Sequence, residues 1–122
     1  SRMTVVSLGD QEILEQIEKQ LRKLEDVRDI KELKPGQAVY RELIMVKVRA
    51  NASERQAIHA ISDIFRATIV DVAKDSLTVM LTGDQSKLDA LIHLLEDYEI
   101  LELARTGLTG LSRGAKDIRY LP

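Results

Sequence analysis

The 122-residue sequence contains no cysteine and no tryptophan, and it has only three tyrosines and one phenylalanine. Without cysteine the chain has no disulfide, no thiol nucleophile and no thiolate metal ligand, and it suits a reducing compartment such as the cytoplasm, where we expect it. With so few aromatic rings it lacks the platforms on which single-stranded nucleic acids stack. The formal net charge of −2 creates no field that attracts nucleic acid or anionic lipid. We therefore expect neither nucleic acid nor a membrane as a partner.

Long apolar runs and catalytic motifs are missing as well. No segment approaches the ~18–20 apolar residues of a membrane-spanning helix, and no signal peptide is visible. The sequence contains no P-loop, dinucleotide-binding fingerprint or nucleophile elbow. His59 and His93 are the only histidines, and neither has a second histidine at helical spacing. A zinc site or a histidine base is therefore weakly indicated, and we predict no catalytic residue and no metal ligand.

An internal repeat is the first positive feature of the chain. The tripeptide Gly-Asp-Gln starts at Gly9 and again at Gly83, and each copy continues into apolar residues at helical spacing. Asp10 and Asp84 are in position to accept hydrogen bonds from free N–H groups of the first helical turn. The apolar stripes and the flanking strand-like residues coincide when the two copies are aligned. We therefore interpret the two stretches as two copies of the same structural element.

Residues 1–34 are predicted to form a strand, a helix and a strand. Residues 3–8 are rich in strand-favouring types, the helix follows Asp10, and residues 27–33 alternate between apolar and polar types. A break at residues 34–37, which read Lys-Pro-Gly-Gln, ends this part, so we assign residues 35–39 as a linker. If the repeat is structural, the central strand of this sheet is missing. A fragment this short is expected to pack against another chain or to be loosely ordered.

Residues 40–106 are predicted to form a second, complete module. Its elements follow the order strand, helix, strand, strand, helix, strand, which is the split βαβ or ferredoxin-like arrangement of an α+β fold. A capping box at Ser53 and Gln56 is predicted to begin its first helix. The predicted strands are residues 40–49, 67–73, 77–82 and 100–104, and the predicted buried stripe of the first helix is Ala57, Ile58, Ile61, Ile64 and Phe65.

Both faces of this sheet are expected to be apolar. Leu43 and Met45 point to one side of the first strand, whereas Ile44, Val46 and Val48 point to the other. Both helices of a ferredoxin-like module lie on one face, so the second apolar face requires a cover. We expect subunit association, including a homodimer formed through the sheets, to provide that cover. The linker or the glycine-rich end of the chain is the alternative.

The glycine-rich end, residues 107–122, is predicted to be a tail or an irregular closing segment. In the stretch LARTGLTGLSRG, residues 103–114, glycines alternate with hydroxyl side chains and two arginines. These arginines and free backbone N–H groups could hold an anion, but a chain exit that needs glycine flexibility is the favoured interpretation. The third possibility is a docking segment for a protein partner, formed by Arg105, Gly107, Leu108, Leu111 and Arg113.

Specific motifs identify a family that the chain resembles. The chain is similar to the small regulatory subunit of acetolactate synthase (acetohydroxyacid synthase) in five stretches: SRMT, RELIMVKVRA, IFRATIVDV, LTGDQSKLDALIHLLE and ELARTGLTGLSRG. The resemblance covers essentially the whole chain, and the motifs occur in the family's order. It implies an N-terminal ACT domain followed by a ferredoxin-like domain. Residues 1–34 are then the second, β-α-β half of an ACT domain, and the chain begins at that domain's third strand.

The resemblance also implies a function. The family's small subunit is a non-catalytic partner that raises the activity of a thiamine-diphosphate enzyme of branched-chain amino-acid synthesis and confers feedback inhibition by valine. Thiamine diphosphate, magnesium and FAD belong to the catalytic subunit, so no cofactor is expected in this chain. The family's valine site lies mainly on segments with no counterpart here, so no ligand-binding residue is assigned and the valine sensitivity of a truncated chain stays open.

Two other functions are compatible with the residues. A free-standing, amino-acid-responsive regulatory module, such as the sensor of a transcription regulator, would need a DNA-binding helix pair, and the sequence contains none. A small enzyme on a ferredoxin-like scaffold would need a cluster of titratable residues in a cleft, which only a structure reveals. The architecture alone does not decide between these functions, since it supports many.

Overall fold

The computed structural model describes residues 2–34 and 36–115, and the chain divides into two compact units. One unit comprises residues 40–108, and the other comprises the residues before 40 together with those after 108. The elements of the described residues, in chain order, are α1 (Gln11–Arg22), β1 (Ala38–Arg49), α2 (Ala52–Phe65), β2 (Thr68–Val72), β3 (Ser76–Gly83), α3 (Gln85–Leu95), β4 (Ile100–Arg105) and β5 (Thr109–Ser112).

The four strands β1 to β4 form an antiparallel sheet in the order β2-β3-β1-β4, and β5 pairs with β1 off this path. The first strand therefore lies between the third and the fourth, and α2 and α3 are the two connecting helices. The sequence predicted this split βαβ order, and the ferredoxin-like α+β class is confirmed. β1 begins at Ala38, so the last two residues of the predicted linker belong to the strand.

The core of residues 40–108 lies between one face of the sheet and the two helices. Residues of β1 alternate between buried and accessible, as a strand with one covered face requires. Full burial of an aliphatic side chain contributes about 1.5–3 kcal/mol relative to exposure, so these residues dominate the stability of the unit. The fully buried apolar side chains larger than alanine are Ile44, Val46 and Val48 of β1, Val79 of β3, Ile58 of α2, and Leu88, Leu91 and Leu95 of α3.

Helices α1 and α3 begin in the same way, as the repeat predicted. The side chain of Asp10 accepts a hydrogen bond from the N–H of Ile13 at 3.0 Å, and that of Asp84 accepts from the N–H of Lys87 at 2.9 Å. A Cβ on Gly9 would lie 2.9 Å from Cγ2 of Ile13, which explains why glycine precedes the capping aspartate. The repeated Gly-Asp-Gln is therefore a repeated helix start, and the two predicted caps are confirmed.

The start of α2 differs from the prediction. Asn51, and not Ser53, is the capping residue: its Oδ1 accepts from the N–H of Glu54 at 2.9 Å, and Glu54 Oε1 accepts from the N–H of Asn51 at 3.1 Å. The predicted pairing of Ser53 with Gln56 is therefore wrong. Asparagine and serine are both strong caps, and the reciprocal bond with Glu54 selects the earlier start.

The buried stripe of α2 is also narrower than predicted. Ile58 and Ser62 are buried, Ile61 and Phe65 pack partly against the core, and the hydroxyl of Ser62 donates to the carbonyl of Ile58 at 2.8 Å. Ile64, predicted to be buried, is 78% exposed because it lies about 200° around the helix from Ser62. Ala57 is exposed for a similar reason. The satisfied hydroxyl explains why a serine occupies the centre of an apolar stripe.

The two strands predicted within residues 1–34 are not formed. Residues 3–8 and 27–33 carry no strand, and α1 has no buried residue. A strand requires a hydrogen-bonding partner, and β-propensity alone does not supply one. Several apolar side chains of this segment are consequently exposed, and they are Met3, Val5, Val6, Leu8, Ile13 and Leu24.

Part of the predicted tail is instead a strand. Residues 109–112 form β5, and Gly110 is buried. Thr4 Oγ1 accepts from the N–H of Gly110 at 3.2 Å, while Arg2 donates to the carbonyl of Gly110 at 3.0 Å. Lys31 Nζ also donates to Ser112 Oγ at 3.1 Å. The irregular closing segment predicted from residue 107 onward is therefore wrong for residues 109–112, and residues 116–122 of the predicted tail lie outside the described residues.

Candidate partner-binding surface

Arg105, the first residue of the predicted docking segment, is committed to contacts within the chain. Its Nε donates to Glu42 Oε1 at 2.6 Å, and its Nη1 lies 3.2 Å from Asp89 Oδ1. These bonds connect the end of β4 to β1 and to α3. The hydrogen bond to Glu42 is also the main reason why the pKa of Arg105 lies above its ordinary value.

Glu42 explains why Arg105 occupies this place. Its side chain is only 7% exposed, although it is a carboxylate. A buried charge is costly unless a partner of opposite charge is hydrogen-bonded to it. The antiparallel register places Arg105 opposite Ile44, on the face that the helices cover, and this brings the guanidinium to Glu42. Arg105 therefore stabilises the sheet, and its role in binding a partner protein stays a prediction.

Gly107 and Leu108 mark the point where the chain leaves β4. Thr106 extends the pairing with β1, because its N–H donates to the carbonyl of Leu43 at 3.0 Å and its Oγ1 accepts from the N–H of Leu43 at 3.0 Å. Gly107 then adopts φ +80°, in the left-handed region that favours glycine. Leu108 is half-buried. The predicted role of glycine at a chain exit therefore applies at this residue.

Leu111 and Arg113 belong to the other unit, and both side chains are exposed. Leu111 is 55% exposed because it alternates on β5 with the buried Gly110 and the half-buried Ser112. Arg113 uses its backbone N–H, which donates to the carbonyl of Gln37 at 2.9 Å, and its side chain is exposed. An exposed leucine next to an exposed arginine offers an apolar and a cationic contact on the same short segment.

A surface that the docking-segment prediction did not include lies on the helix-free face of the sheet. Met45 is 42% exposed, its register partner Met80 is half-buried, and Leu43 follows on the same side of β1. The expectation of an apolar second face is therefore correct for this end of the sheet. We call Leu43, Met45 and Met80 the methionine patch.

The other end of the same face is charged, which corrects the expectation of a uniformly apolar face. Lys47 Nζ lies 2.6 Å from Glu102 Oε2, and Arg49 Nε lies 2.8 Å from Glu99 Oε2. The hydrogen bond between Lys47 and Glu102 raises the pKa of the lysine and lowers the pKa of the glutamate. An apolar patch beside exposed charged pairs is the composition typical of a protein interface with a polar rim.

Both histidines lie on exposed helix surfaces, each beside one carboxylate. His59 Nδ1 lies 3.5 Å from Asp63 Oδ2, His93 Nδ1 lies 3.7 Å from Glu96 Oε2, and both histidines are exposed. Within residues 2–34 and 36–115, no three histidine, aspartate or glutamate side chains are grouped so that they could hold a metal ion. The helices of that part are also too short and too polar to span a bilayer.

Comparison with known proteins identifies the family. The family described as "Small subunit of acetolactate synthase" matches residues 41–114. This range includes the ferredoxin-like sheet from Arg41 onward and all of β5. The chain belongs to the acetolactate synthase small-subunit family. The resemblance inferred from the sequence motifs is thereby confirmed.

Individual small subunits match almost the whole chain. It is 52% identical over 117 residues to the "Probable acetolactate synthase small subunit" of Methanothermobacter thermautotrophicus, covering 95% of this chain and 70% of that protein. It is 47% identical over 120 residues to the "Acetolactate synthase isozyme 3 small subunit" of Salmonella typhimurium, covering 98% of this chain and 74% of that protein. Both matches are much longer than residues 41–114, so most of the residues before 41 also have a counterpart in these small subunits.

A solved structure has the same fold. The crystal structure of the acetolactate synthase small subunit from Thermotoga maritima superposes with a TM-score of 0.80 at 36% sequence identity, and the match covers 89% of this chain and 68% of that one. The ferredoxin-like architecture thus recurs in a small subunit whose sequence has diverged considerably. A shared fold and a shared sequence therefore support the same family assignment.

Proposed function

We propose that the chain is a non-catalytic regulatory subunit that binds the catalytic subunit of acetolactate synthase and raises its activity. The observation that carries this proposal is the 52% identity, over 95% of the chain, with a protein named as a small subunit of that enzyme. In the intact family member the same binding would also transmit feedback inhibition by valine. Thiamine diphosphate, magnesium and FAD would be held by the catalytic subunit, and both subunits would act in the cytoplasm.

The mechanism that we propose is conformational coupling. A regulatory subunit changes the activity of a partner only if it binds one arrangement of that partner more tightly than another. The strength of such a coupling is typically about 1–3 kcal/mol, which corresponds to a change in affinity of about 5- to 150-fold. Valine would act by the same rule, since an effector must favour one arrangement of the small subunit over another.

Co-purification tests the association. The catalytic subunit, expressed with the 122-residue chain carrying an affinity tag, is expected to elute with it, and the complex is expected to form acetolactate faster than the catalytic subunit alone. Valine is then added to separate two outcomes. Inhibition by valine would show that this chain contains an effector site. Activation without inhibition would show that the effector site lies on segments of the family's small subunits that this chain lacks. Failure of the two folded proteins to associate would contradict the proposal.

The docking segment can be tested in the same complex. We propose that Leu111 and Arg113, which expose an apolar and a cationic side chain, contact the catalytic subunit. The variant Leu111→Glu is expected to weaken association at least about tenfold, because burying a carboxylate in an apolar contact is costly. Ile64→Glu is the matched control, since Ile64 is also an exposed aliphatic residue but lies on α2. If both variants bind the catalytic subunit equally well, β5 is not part of the interface.

A further inference from the structure

Strand β4 forms one edge of the ferredoxin-like sheet, and its outer side is open. Among residues 2–34 and 36–115, β4 pairs only with β1, so it is the last strand of the sheet on this side. Five of its six residues are exposed, including Leu101 at 39% and Leu103 at 44%. The strand belongs to the unit of residues 40–108. An edge strand carries a row of unpaired N–H and C=O groups, and a second strand can pair with them.

The hydrogen bonds to β1 determine which residues of β4 have their backbone groups on the open side. In an antiparallel ladder, successive residues alternate between bonding the neighbouring strand and facing away from it. The N–H of Thr106 donates to the carbonyl of Leu43 at 3.0 Å. Ala104, two residues earlier in a regular register, therefore bonds β1 in the same way. The backbone N–H and C=O groups of Leu103 and Arg105 consequently face away from β1, toward the open side.

The side chains of this edge do not block pairing. Natural edge strands are commonly protected by lysine, proline or a bulge. Residues 102–105 include neither lysine nor proline, and their register with β1 is regular because the bulge of β4 comes before them. The two charged side chains, Glu102 and Arg105, are already bound within the chain. The opposite edge of the sheet differs, because a register shift interrupts β2 in its middle, between Ile69 and Asp71.

A second copy of β4 fits this edge best in one antiparallel register. Antiparallel pairing of a strand with its own copy is symmetric about a two-fold axis, and the outward-facing residues must oppose each other. With Leu103 opposite Leu103 of the second copy, the two leucines are in contact and Glu102 lies beside the small Ala104. Sliding the copy in one direction opposes two Glu102 carboxylates, which repel each other. Sliding it in the other direction opposes two Ala104 side chains and loses the leucine contact.

We propose that β4 pairs antiparallel with β4 of a second copy of this chain, with Leu103 at the two-fold axis. The pair joins two ferredoxin-like sheets edge to edge into one continuous sheet. This contact leaves the helix-free face and its methionine patch accessible, so it is distinct from the contact expected through that face. It runs along one strand, buries less area than a face contact and is expected to be the weaker of the two. It requires no catalytic subunit, so its test is independent of the proposed function.

Cysteine crosslinking of the full chain tests the contact and its register together. The chain contains no cysteine, so a single-cysteine variant has one thiol only. In the proposed register the two residues 103 lie directly opposite each other with Cα atoms about 5.5 Å apart, within the range that a disulfide bridges. With diamide as the oxidant, Leu103→Cys is expected to form a disulfide-linked dimer at least about tenfold faster than the control variants, because the two thiols are held together. Non-reducing electrophoresis measures the rate.

Two leucines of similar exposure provide matched controls. Leu94→Cys, at a position that is 40% exposed on α3, reports crosslinking by random collision. Leu101→Cys lies on β4 itself, at a position that is 39% exposed. In the proposed register the two residues 101 are about 13 Å apart along the strands, which is beyond the reach of a disulfide. Equal crosslinking of the three variants, or faster crosslinking of Leu101→Cys, would overturn the proposal.

Nuclear magnetic resonance of the chain gives a second measurement that needs no cysteine. As the protein concentration is raised, the backbone amide resonances of Leu103 and Arg105 are expected to shift, because these N–H groups exchange water for a carbonyl of the second copy. Leu103→Lys should suppress the shift of Arg105 by opposing two like charges, whereas Leu94→Lys should not. Amide resonances of Leu103 and Arg105 that do not depend on concentration in the folded chain would contradict the pairing.

Discussion

A single buried carboxylate determines where the side chain of Arg105, at the end of β4, is bound. Glu42 is nearly buried, and its charge is matched by Arg105 through hydrogen bonds to one oxygen. The two residues are 63 positions apart in the chain, so no local pattern in the sequence reveals the pair. Sequence reasoning therefore predicts a partner protein for Arg105 and misses the contacts that Arg105 makes within the fold.

The variant Arg105→Ala is expected to lower the free energy of unfolding by about 2 kcal/mol. Breaking a fully buried pair costs about 3–5 kcal/mol, and we reduce this figure because Arg105 is about one third exposed and partly screened by water. Urea denaturation monitored by circular dichroism measures the change.

Lys47→Ala is the control for that measurement. It also removes a cation from a carboxylate on the sheet, but Glu102 is exposed and remains solvated when its partner is lost. The midpoint of urea denaturation should therefore shift much less for Lys47→Ala than for Arg105→Ala. Replacing both members of the buried pair, Glu42→Leu with Arg105→Met, should recover most of the lost stability. Similar shifts for the two alanine variants would show that the buried carboxylate does not depend on Arg105.

At the scale of single elements, the sequence predicts helices and strands correctly where a local residue pattern is compatible with only one structure. The strands of residues 40–108 follow from alternating apolar residues, and the starts of α1 and α3 follow from Gly-Asp-Gln. The start of α2 does not, because Asn51 and Ser53 compete as caps and only Glu54 decides between them. β5 escapes prediction because its sequence, Thr-Gly-Leu-Ser, has no apolar alternation, and its pairing depends on residues far away in the chain.

The cap of α2 gives a direct test of this difference. Asn51→Ala is expected to destabilise the chain by about 1 kcal/mol, because the N–H of Glu54 loses its acceptor. Ser53→Ala should have a smaller effect, since the Ser53 hydroxyl only donates to Asn51 Oδ1. Thermal unfolding of the two variants side by side measures both effects. A larger loss of stability in Ser53→Ala than in Asn51→Ala would instead support Ser53 as the capping residue.

The cap of α3 predicts a dependence on pH. The hydrogen bond from the Lys87 N–H, followed by that from Ser86, lowers the pKa of Asp84 below its ordinary value of 3.8. A lowered folded-state pKa means that the stabilisation is present above the ordinary value and is lost as the pH falls through the folded-state pKa. Asp84→Asn keeps an acceptor but does not titrate. The difference in unfolding free energy between the two proteins should therefore shrink on acidification, and a constant difference would contradict this role.

At the scale of the whole molecule, exposed apolar surface points to association. Helix α1 has no buried side chain, and Leu8, which precedes it, is 95% exposed. In the other unit the methionine patch leaves Met45 accessible on the helix-free face. Apolar surface of this kind is typically covered by another subunit. The sequence predicts this need for a cover because residues on both sides of β1 are apolar, but it does not reveal which copy or partner provides the cover.

The chain alone is expected to form a homodimer through its sheets. Multi-angle light scattering at micromolar concentration should therefore give twice the 13.8 kDa of one chain. Met45→Lys should shift the population toward monomer, because it places a charge in the methionine patch, whereas Ile64→Lys on α2 should not. A stable monomer at this concentration would count against association through the sheets.

The central claim is that this chain acts by changing the activity of a catalytic partner. The most direct measurement is the rate of acetolactate formation by a fixed amount of purified acetolactate synthase catalytic subunit as increasing amounts of the folded chain are added. The account predicts that the rate rises and then saturates when the catalytic subunit is fully bound. A rate that stays constant up to a large excess of folded chain would contradict it.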